Sequence, residues 1–415
     1  MKTMRSLLLL TFVGTLSSQS LMDLFTAILC LFAGFSLFQL DRVSVKKHLR
    51  LFFINPAVIA AGIWFLCAVV GFVLANPSDW PYSTERLLEF RWILILFFLT
   101  FSLFTIKFSE ADLKPAAIVL ILFSAYACGL YFLGFDPLKP QESMSAAMNI
   151  NRTGGLIGNS MTFAHMYSLF AVLFFAISFK DGLSKEILKS VYFWAGLLTF
   201  AGVIFSFTRG VWISMTAGLL LAGFVIHRRI GSMMLGGLSL GFVLVFTVWR
   251  DFRERILYVF NPTSYDETRL WLWKAHLKIF SDNPVFGAGY GLNTRKIPEV
   301  YSAIGAPGDT LVSHAHNQFI HLLSATGIIG CAAYIFMQGY FMLIAYRTFR
   351  NSHSAIDRAM AIGLFCAMVA FNIGSLTESN FEHAKVRMAL LIVWSLSLYL
   401  YLNLSKTFTN PKSKP

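Results

Sequence analysis

SHAHNQFIHLLSATGIIGCAAYIFMQGYFMLIAY, residues 313–346, starts as a polar, histidine-bearing segment and becomes an apolar run within a few residues. The apolar part, 318–346, exceeds the roughly 20 residues that a helix needs to cross hydrocarbon. The stretch that leads into it, residues 250–317, is the only long polar segment of the chain. Its 68 residues carry five Arg, two Trp, a Gly-rich turn and three His. Such an insert between apolar spans is a spacer or the working part of a membrane protein. The arginines and the paired His314 and His316 argue for the working part.

The composition around this junction is that of a chain solvated by lipid. Charged residues make up 13% and hydrophobic residues 56%, whereas soluble domains carry about 25% charge. The 42 Phe and nine Trp fit the same reading, since aromatic rings suit lipid and its interfaces. A net charge of +13 matches positive-inside loops and an anionic ligand. Nucleic acid is disfavoured as a partner, because no soluble basic domain exists to hold it. Cys30, Cys67, Cys128, Cys331 and Cys366 all sit in apolar runs, and none forms C-x-x-C. They read as small buried hydrophobes rather than disulfide or metal partners.

The apolar pattern predicts an all-α, polytopic membrane protein with about 12 transmembrane helices. The spans fall near 6–20, 22–40, 53–75, 91–106, 115–134, 160–179, 190–207, 210–226, 233–249, 318–346, 359–376 and 388–404. Residues 1–249 hold the first nine, 250–317 form a helical periplasmic loop, and 318–415 hold the last three and a tail. Residues 1–20 also read as a signal peptide, with Lys2 and Arg5 ahead of an apolar core; its removal would leave later orientations unchanged. With a cytoplasmic N-terminus, cytoplasmic segments hold 19 Lys and Arg, the short outer loops seven, and the insert eight. That bias places both termini in the cytoplasm and the insert outside, which in a Gram-negative cell means the periplasm. Within the spans, His165 and Asp23 are the main ionisable residues. Ion-coupled transporters keep such groups at mid-membrane, and neither an inverted repeat nor a pair of broken helices is evident. Transport is therefore disfavoured.

Four motifs share the outer face. Ser206-Phe207-Thr208-Arg209-Gly210 is a short turn between spans. Arg209 there could grip a lipid phosphate with two guanidinium donors; the plain alternative is a snorkelling interfacial Arg. Ser264-Tyr265-Asp266-Glu267 matches a capping box, which predicts a helix from there to Asn283-Pro284. Arg269, Trp273 and His276 fall on one face of it at i, i+4 and i+7. Phe286-Gly287-Ala288-Gly289-Tyr290-Gly291 lacks nucleotide-fingerprint spacing and reads as a turn allowing close backbone approach. Ser313 can cap the tenth span, which would put His314 and His316 in its first turn. The helix dipole there favours neutral imidazole, as a general base requires. Two residues apart on a helix, the pair would point in different directions, so at most one would face the reacting atom. A zinc site lacks further ligands, and H-E-x-x-H is absent. Two Arg, a His pair and aromatic rings on one face suit a lipid-linked diphosphate. A non-catalytic scaffold would leave that cluster unexplained.

The ordered set of Thr208-Arg209-Gly210, Arg269-Leu270-x-Leu272-Trp273, Asn283-Pro284-x-x-Gly287-x-Gly289 and His314-x-His316-Asn317, with Leu323 and Gly327 following, resembles the O-antigen ligase and polymerase superfamily over roughly residues 190–345. Thr208 stands where that family often has Ser. The resemblance implies a multi-span, GT-C-like, inverting glycosyltransferase in the bacterial inner membrane, with its active site facing the periplasm. It implies no metal, nucleotide or other cofactor. The donor would be an undecaprenyl-diphosphate-linked polysaccharide. The acceptor would be a lipid A–core hydroxyl for a ligase, or a carrier-linked glycan for a polymerase, the runner-up. Other O-antigen assembly proteins are expected partners. By position, Arg209 and Arg269 would bind diphosphate and His316 would be the catalytic base. His314, Asn317, Trp273, Arg295 and Tyr290 would contact substrate. Arg152 and Glu378 are further outer-face candidates that nothing in the sequence ranks.

Overall fold

The computed structural model describes residues 1–75, 77–134, 144–145, 150–257, 264–307 and 312–409. Helices dominate. They are α1 (Lys2–Ser17), α2 (Gln19–Phe38), α3 (Arg42–Phe53), α4 (Pro56–Leu74), α5 (Trp80–Leu88) and α6 (Trp92–Ile106). Next come α7 (Glu110–Leu133), α8 (Ser160–Ser178), α9 (Val191–Phe205), α10 (Arg209–Ile226) and α11 (Arg228–Val248). The polar insert contributes α12 (Arg250–Leu257), α13 (Ser264–Asp282), α14 (Leu292–Arg295) and α15 (Ile297–Ile304). The chain closes with α16 (Gln318–Asn351), α17 (Ala355–Gly374) and α18 (Ala384–Thr409). Among the described residues, the only strand pairing is a two-residue ladder matching Met144 with Asn151 and Ser145 with Ile150.

The protein is a multi-pass membrane protein, and among the described residues ten helices are long and apolar enough to cross a bilayer. The other two of the twelve predicted spans are helical but shorter. Helix α9 has 15 residues, about 22 Å at 1.5 Å per residue, against a hydrocarbon core of about 30 Å. It ends early because the Ser206–Thr208 turn leaves helical geometry, with Phe207 at φ 54°. Helix α1 stops at Ser17 because Ser18 is extended and its side chain caps α2 at Leu21 N. It is part of the bundle: Met4, Leu7, Phe12 and Leu16 are buried. Tyr167 donates its hydroxyl to Leu16 O at 3.0 Å, and Lys385 donates to Ser17 O at 3.1 Å. Helix α13 ends at Asp282, immediately before the predicted Asn283-Pro284 stop; the side chains of 264–267, and so the expected capping box, lie outside the described residues.

The helices alternate in direction around α8, which packs against α9, α10 and α17. The turns near 17–19, 89–91, 206–209, 313–318 and 375–384 therefore gather at one end. Cross-links such as Arg387 to Glu89 at 3.0 Å tie them together. At the opposite end, Arg5 pairs with Asp112 at 2.9 Å and Lys180 with Glu110 at 2.7 Å.

Helix α16 is broken at Gly327, where φ is 66° and ψ −170°. In an unbroken helix Ile328 N would bond Ser324 O, and Ile329 N would bond Ala325 O. The insert takes over all four groups. Ile328 N donates to Pro284 O at 2.9 Å, and Ile329 N to Val285 O at 3.5 Å. Ser324 O accepts from Ala288 N at 2.9 Å, and Ala325 O from Gly289 N at 3.1 Å. The 284–289 turn is thus wedged into the break, as the Gly-rich reading anticipates. Gly287, at φ 70°, lies with its Cα against the backbone of Ala325 and Thr326, where a Cβ has no room. Gly287→Ala is expected to cost at least about 2 kcal/mol, seen as a lower melting temperature in detergent. Gly236→Ala in α11, with nothing nearby to meet, should leave that temperature unchanged or raise it. Equal effects at the two positions would refute the wedge.

Candidate active site

The turn between α9 and α10 is built to present Arg209. Phe207 takes a left-handed conformation and buries its ring among Tyr131, Trp212 and Trp249. Arg152 Nε donates to Ser206 O at 3.0 Å, and its Nη2 to Thr208 Oγ1 at 3.3 Å. From the insert, Arg255 Nε donates to Phe207 O at 3.2 Å. Three hydrogen bonds therefore hold the three residues Ser206, Phe207 and Thr208. Arg209 follows as the first residue of α10. A cation at a helix N-terminus opposes the helix dipole, at a cost of about 0.3–1 kcal/mol. Helix stability does not select Arg there. An anion would reverse the sign, because guanidinium and helix N-terminus would then act together.

Helix α13 clamps the His segment from one side. Trp273 Nε1 donates to Ala315 O at 2.8 Å. His276 reaches Ser324 Oγ at 2.7 Å through Nδ1 and Ser313 O at 3.3 Å through Nε2. The i, i+4, i+7 face read from the sequence thus meets residues 313–324, with Arg269 one turn beyond Trp273. The loop after α17 holds the other side. Gln318 N donates to Ser375 O at 2.9 Å, Phe381 N donates to Gln318 Oε1 at 3.0 Å, and Asn317 Nδ2 donates to Leu376 O at 3.1 Å.

Between these clamps lies His316, at φ 47°, a conformation uncommon for a non-glycine residue and characteristic of functional sites. Its Nδ1 lies 2.9 and 3.1 Å from the two oxygens of Glu378, and both residues are buried. His314 Nδ1 lies 3.4 Å from the same carboxylate, and the two imidazoles are 4.4 Å apart. Burial pushes the Glu378 carboxyl upwards, yet the hydrogen bond and charge of His316, then His314 and His165, hold it below the usual range. Burial drives His314 down to about 4, against the pull of Glu378. His314 is therefore neutral near pH 7. Gly210 meets the side chain of Thr377, the neighbour of Glu378, so the Arg209 turn adjoins the His316–Glu378 pair.

Several expectations change. Asn317, not Ser313, caps α16: its Oδ1 accepts from Phe319 N and Ile320 N at 3.0 and 3.1 Å. Its side chain serves the backbone. The two histidines precede the helix rather than occupying its first turn, and in irregular backbone both converge on one carboxylate instead of diverging. Tyr290 lies in the core against Trp64 and Phe90 and donates its hydroxyl to Glu382 at 3.1 Å. Arg295 pairs with Asp79 at 2.9 Å and sits over the Tyr82 ring, on the α5 side. These two brace the insert against the bundle. Glu378 is the residue that sequence reasoning failed to rank, since no local motif marks a carboxylate 62 positions from its partner. Among the described residues, one group has metal-ligand geometry: His314, Glu378 and His383, with ligand atoms within 4.8 Å of one another. Glu378 is already engaged there by two histidines.

The ordered motifs and their convergence agree with one comparison. Residues 194–335 match the family model described as O-antigen ligase. Over these residues, about a third of the chain, it is similar to that family. That family covers ligases and polymerases alike, and its activity is the transfer of lipid-linked polysaccharide. The match takes in Arg209, Arg269, His314 and His316, and stops short of Glu378. No curated protein matches the chain.

Buried ionisable groups around His316 set an acid limit on the stability of the protein. Burial, and then His321, drive His276 down to about 3. His276 and His314 thus take up protons more readily in the unfolded chain. Their contribution is complete above about pH 6.5 and is lost as pH falls towards 3–4. That of Glu378, whose folded value is depressed, is complete above about pH 4.5 and lost below. Each histidine adds a slope of about 1.4 kcal/mol per pH unit inside its window. The melting temperature in detergent should fall steadily from pH 7 to pH 4, and less steeply in His276→Gln. A flat profile would contradict these environments.

Proposed function

We propose that the protein is an O-antigen ligase that transfers a finished polysaccharide from undecaprenyl diphosphate to a sugar hydroxyl of lipid A–core, at the periplasmic face of the inner membrane. The observation that carries this reading is the buried His316–Glu378 pair set beside the Arg209 turn. The carboxylate keeps the proton on Nδ1 and leaves the Nε2 lone pair for the acceptor hydroxyl. Nε2 takes that proton as the oxygen attacks the anomeric carbon of the donor sugar from the face opposite the leaving group. The bond from this carbon to the diphosphate oxygen breaks, and the carrier diphosphate departs with the electron pair. Arg209, with the N-terminus of α10, and Arg269 neutralise the charge that develops on it. His314 stays neutral beside the base, and Trp273 holds the His segment in place. Back-side displacement inverts the anomeric centre. The positive-inside bias supports the outward orientation. No step needs a metal or nucleotide.

His316→Ala is expected to lower transfer at least about 10²-fold, and Glu378→Gln by about 10²–10⁴-fold with the protein still folded. The readout is labelled glycan passed from carrier to acceptor. Arg209→Lys should fall well below wild type, because an ammonium does not reproduce the guanidinium fork. EDTA should leave the rate unchanged; loss on chelation with recovery on zinc would transfer the role of His314, Glu378 and His383 to a metal. A deletion strain analysed by lipopolysaccharide gel separates ligase from polymerase. Ligase loss leaves core-only lipid with long glycan stranded on the carrier, whereas polymerase loss leaves core plus one repeat unit.

A further inference from the structure

At the end of the bundle opposite His316, a cavity of about 370 Å³ opens where α8, α10 and α16 end and α11 and α17 begin. It lies within the size range of small-molecule sites, about 300–1,000 Å³. Its polar lining is cationic: Lys180, Arg229 and Arg358, with His227, and no carboxylate among the lining residues. Lys180 is balanced by Glu110 at 2.7 Å, which leaves the charge of the two arginines for a ligand. Arg358 lies over the Phe349 ring at 5.4 Å, which steadies its guanidinium at the edge of the cavity. Two long helices begin here. The α17 residues Ala355, Arg358 and Ala359 line the cavity, as does Arg229 of α11. The positive ends of these two dipoles offset negative ends of α8, α10 and α16, so the positive charge of the cavity rests on its arginines. Asp357, in the first turn of α17, is not among the lining residues.

We infer that this cavity binds the phosphate-bearing headgroup of an anionic phospholipid. The walls carry the choice of a lipid over free phosphate. Phe179, Ile226 and Ile362 give the cavity apolar sides, which suit a glycerol backbone and its first methylenes. Helix α11, one wall, is only 11% buried across its span, and Met233 and Leu235 turn outwards. Acyl chains leaving the cavity therefore find a lipid-facing apolar surface beside it. Basic pockets between spans are recurrent headgroup sites. The inference is independent of glycosyl transfer, since none of its residues belongs to the His316 cluster.

The test is native mass spectrometry of the full-length protein in neutral detergent, titrated with phosphatidylglycerol and with phosphatidylcholine of the same chains. Wild type should retain phosphatidylglycerol at least tenfold more tightly, with a preference that falls as salt rises. Arg229→Gln with Arg358→Gln should lose that preference at least tenfold, while Lys46→Gln with Lys47→Gln in α3 should keep it. Equal affinity of wild type for the two lipids overturns the site whether or not the variants fold. Equal loss in both double variants shows only surface charge and overturns it too. Displacement of phosphatidylglycerol by millimolar inorganic phosphate would assign the cavity to free phosphate instead.

Discussion

In hydrocarbon each backbone amide and carbonyl must find its partner inside the protein, because no water is there to replace it. The break at Gly327 creates four such groups at once, and the 284–289 turn answers all four. The rest of the assembly around His316 follows from this exchange. With the turn held in α16, α13 is anchored at its C-terminal end and lies along the His segment. Trp273 and His276 can then grip Ala315 and Ser313. Only with that segment fixed can His316 hold a left-handed backbone and meet Glu378. A membrane constraint on main-chain hydrogen bonds thus becomes a constraint on the position of an imidazole.

The electrostatics of the site around His316 are ordered the same way. A buried carboxylate is costly unless it is paired, and Glu378 has His316 and His314 on its oxygens and Ser379 N at 3.0 Å. Arg209 is in the converse position, a cation at the positive end of a helix. The carboxylate is paired within the protein, and an anion beside the N-terminus of α10 would meet the guanidinium and the helix dipole together. This asymmetry suits a site whose substrate brings the negative charge and whose base must be aligned before the substrate arrives.

The predicted helices lay close to the observed ones because lipid imposes a long apolar run that composition alone reveals. Errors gathered at ends. The 190–207 span ran into the Ser206–Phe207 turn, since Phe207 is as apolar as any span residue although its backbone is not helical. Ser313 and Asn317 are both good capping residue types, and only the observed first amides assign the cap to Asn317. Among site residues, Arg269, Trp273 and His276 were legible as one face, since helical periodicity is local. The partners of Tyr290 and Arg295, Glu382 and Asp79, lie far away in sequence and are not legible in it.

The sequence by itself determined the helical membrane architecture and the residue types of the cluster around His316. All of these are properties of single segments or of the order in which segments follow one another. Tertiary structure alone decided that His314 and His316 share one carboxylate, that Glu378 is that carboxylate, and that the Arg209 turn adjoins it. Those facts depend on contacts between α10, α16 and the loop after α17. Buried electrostatics reward such proximity whatever the distance along the chain, and that distance is all that a single sequence records.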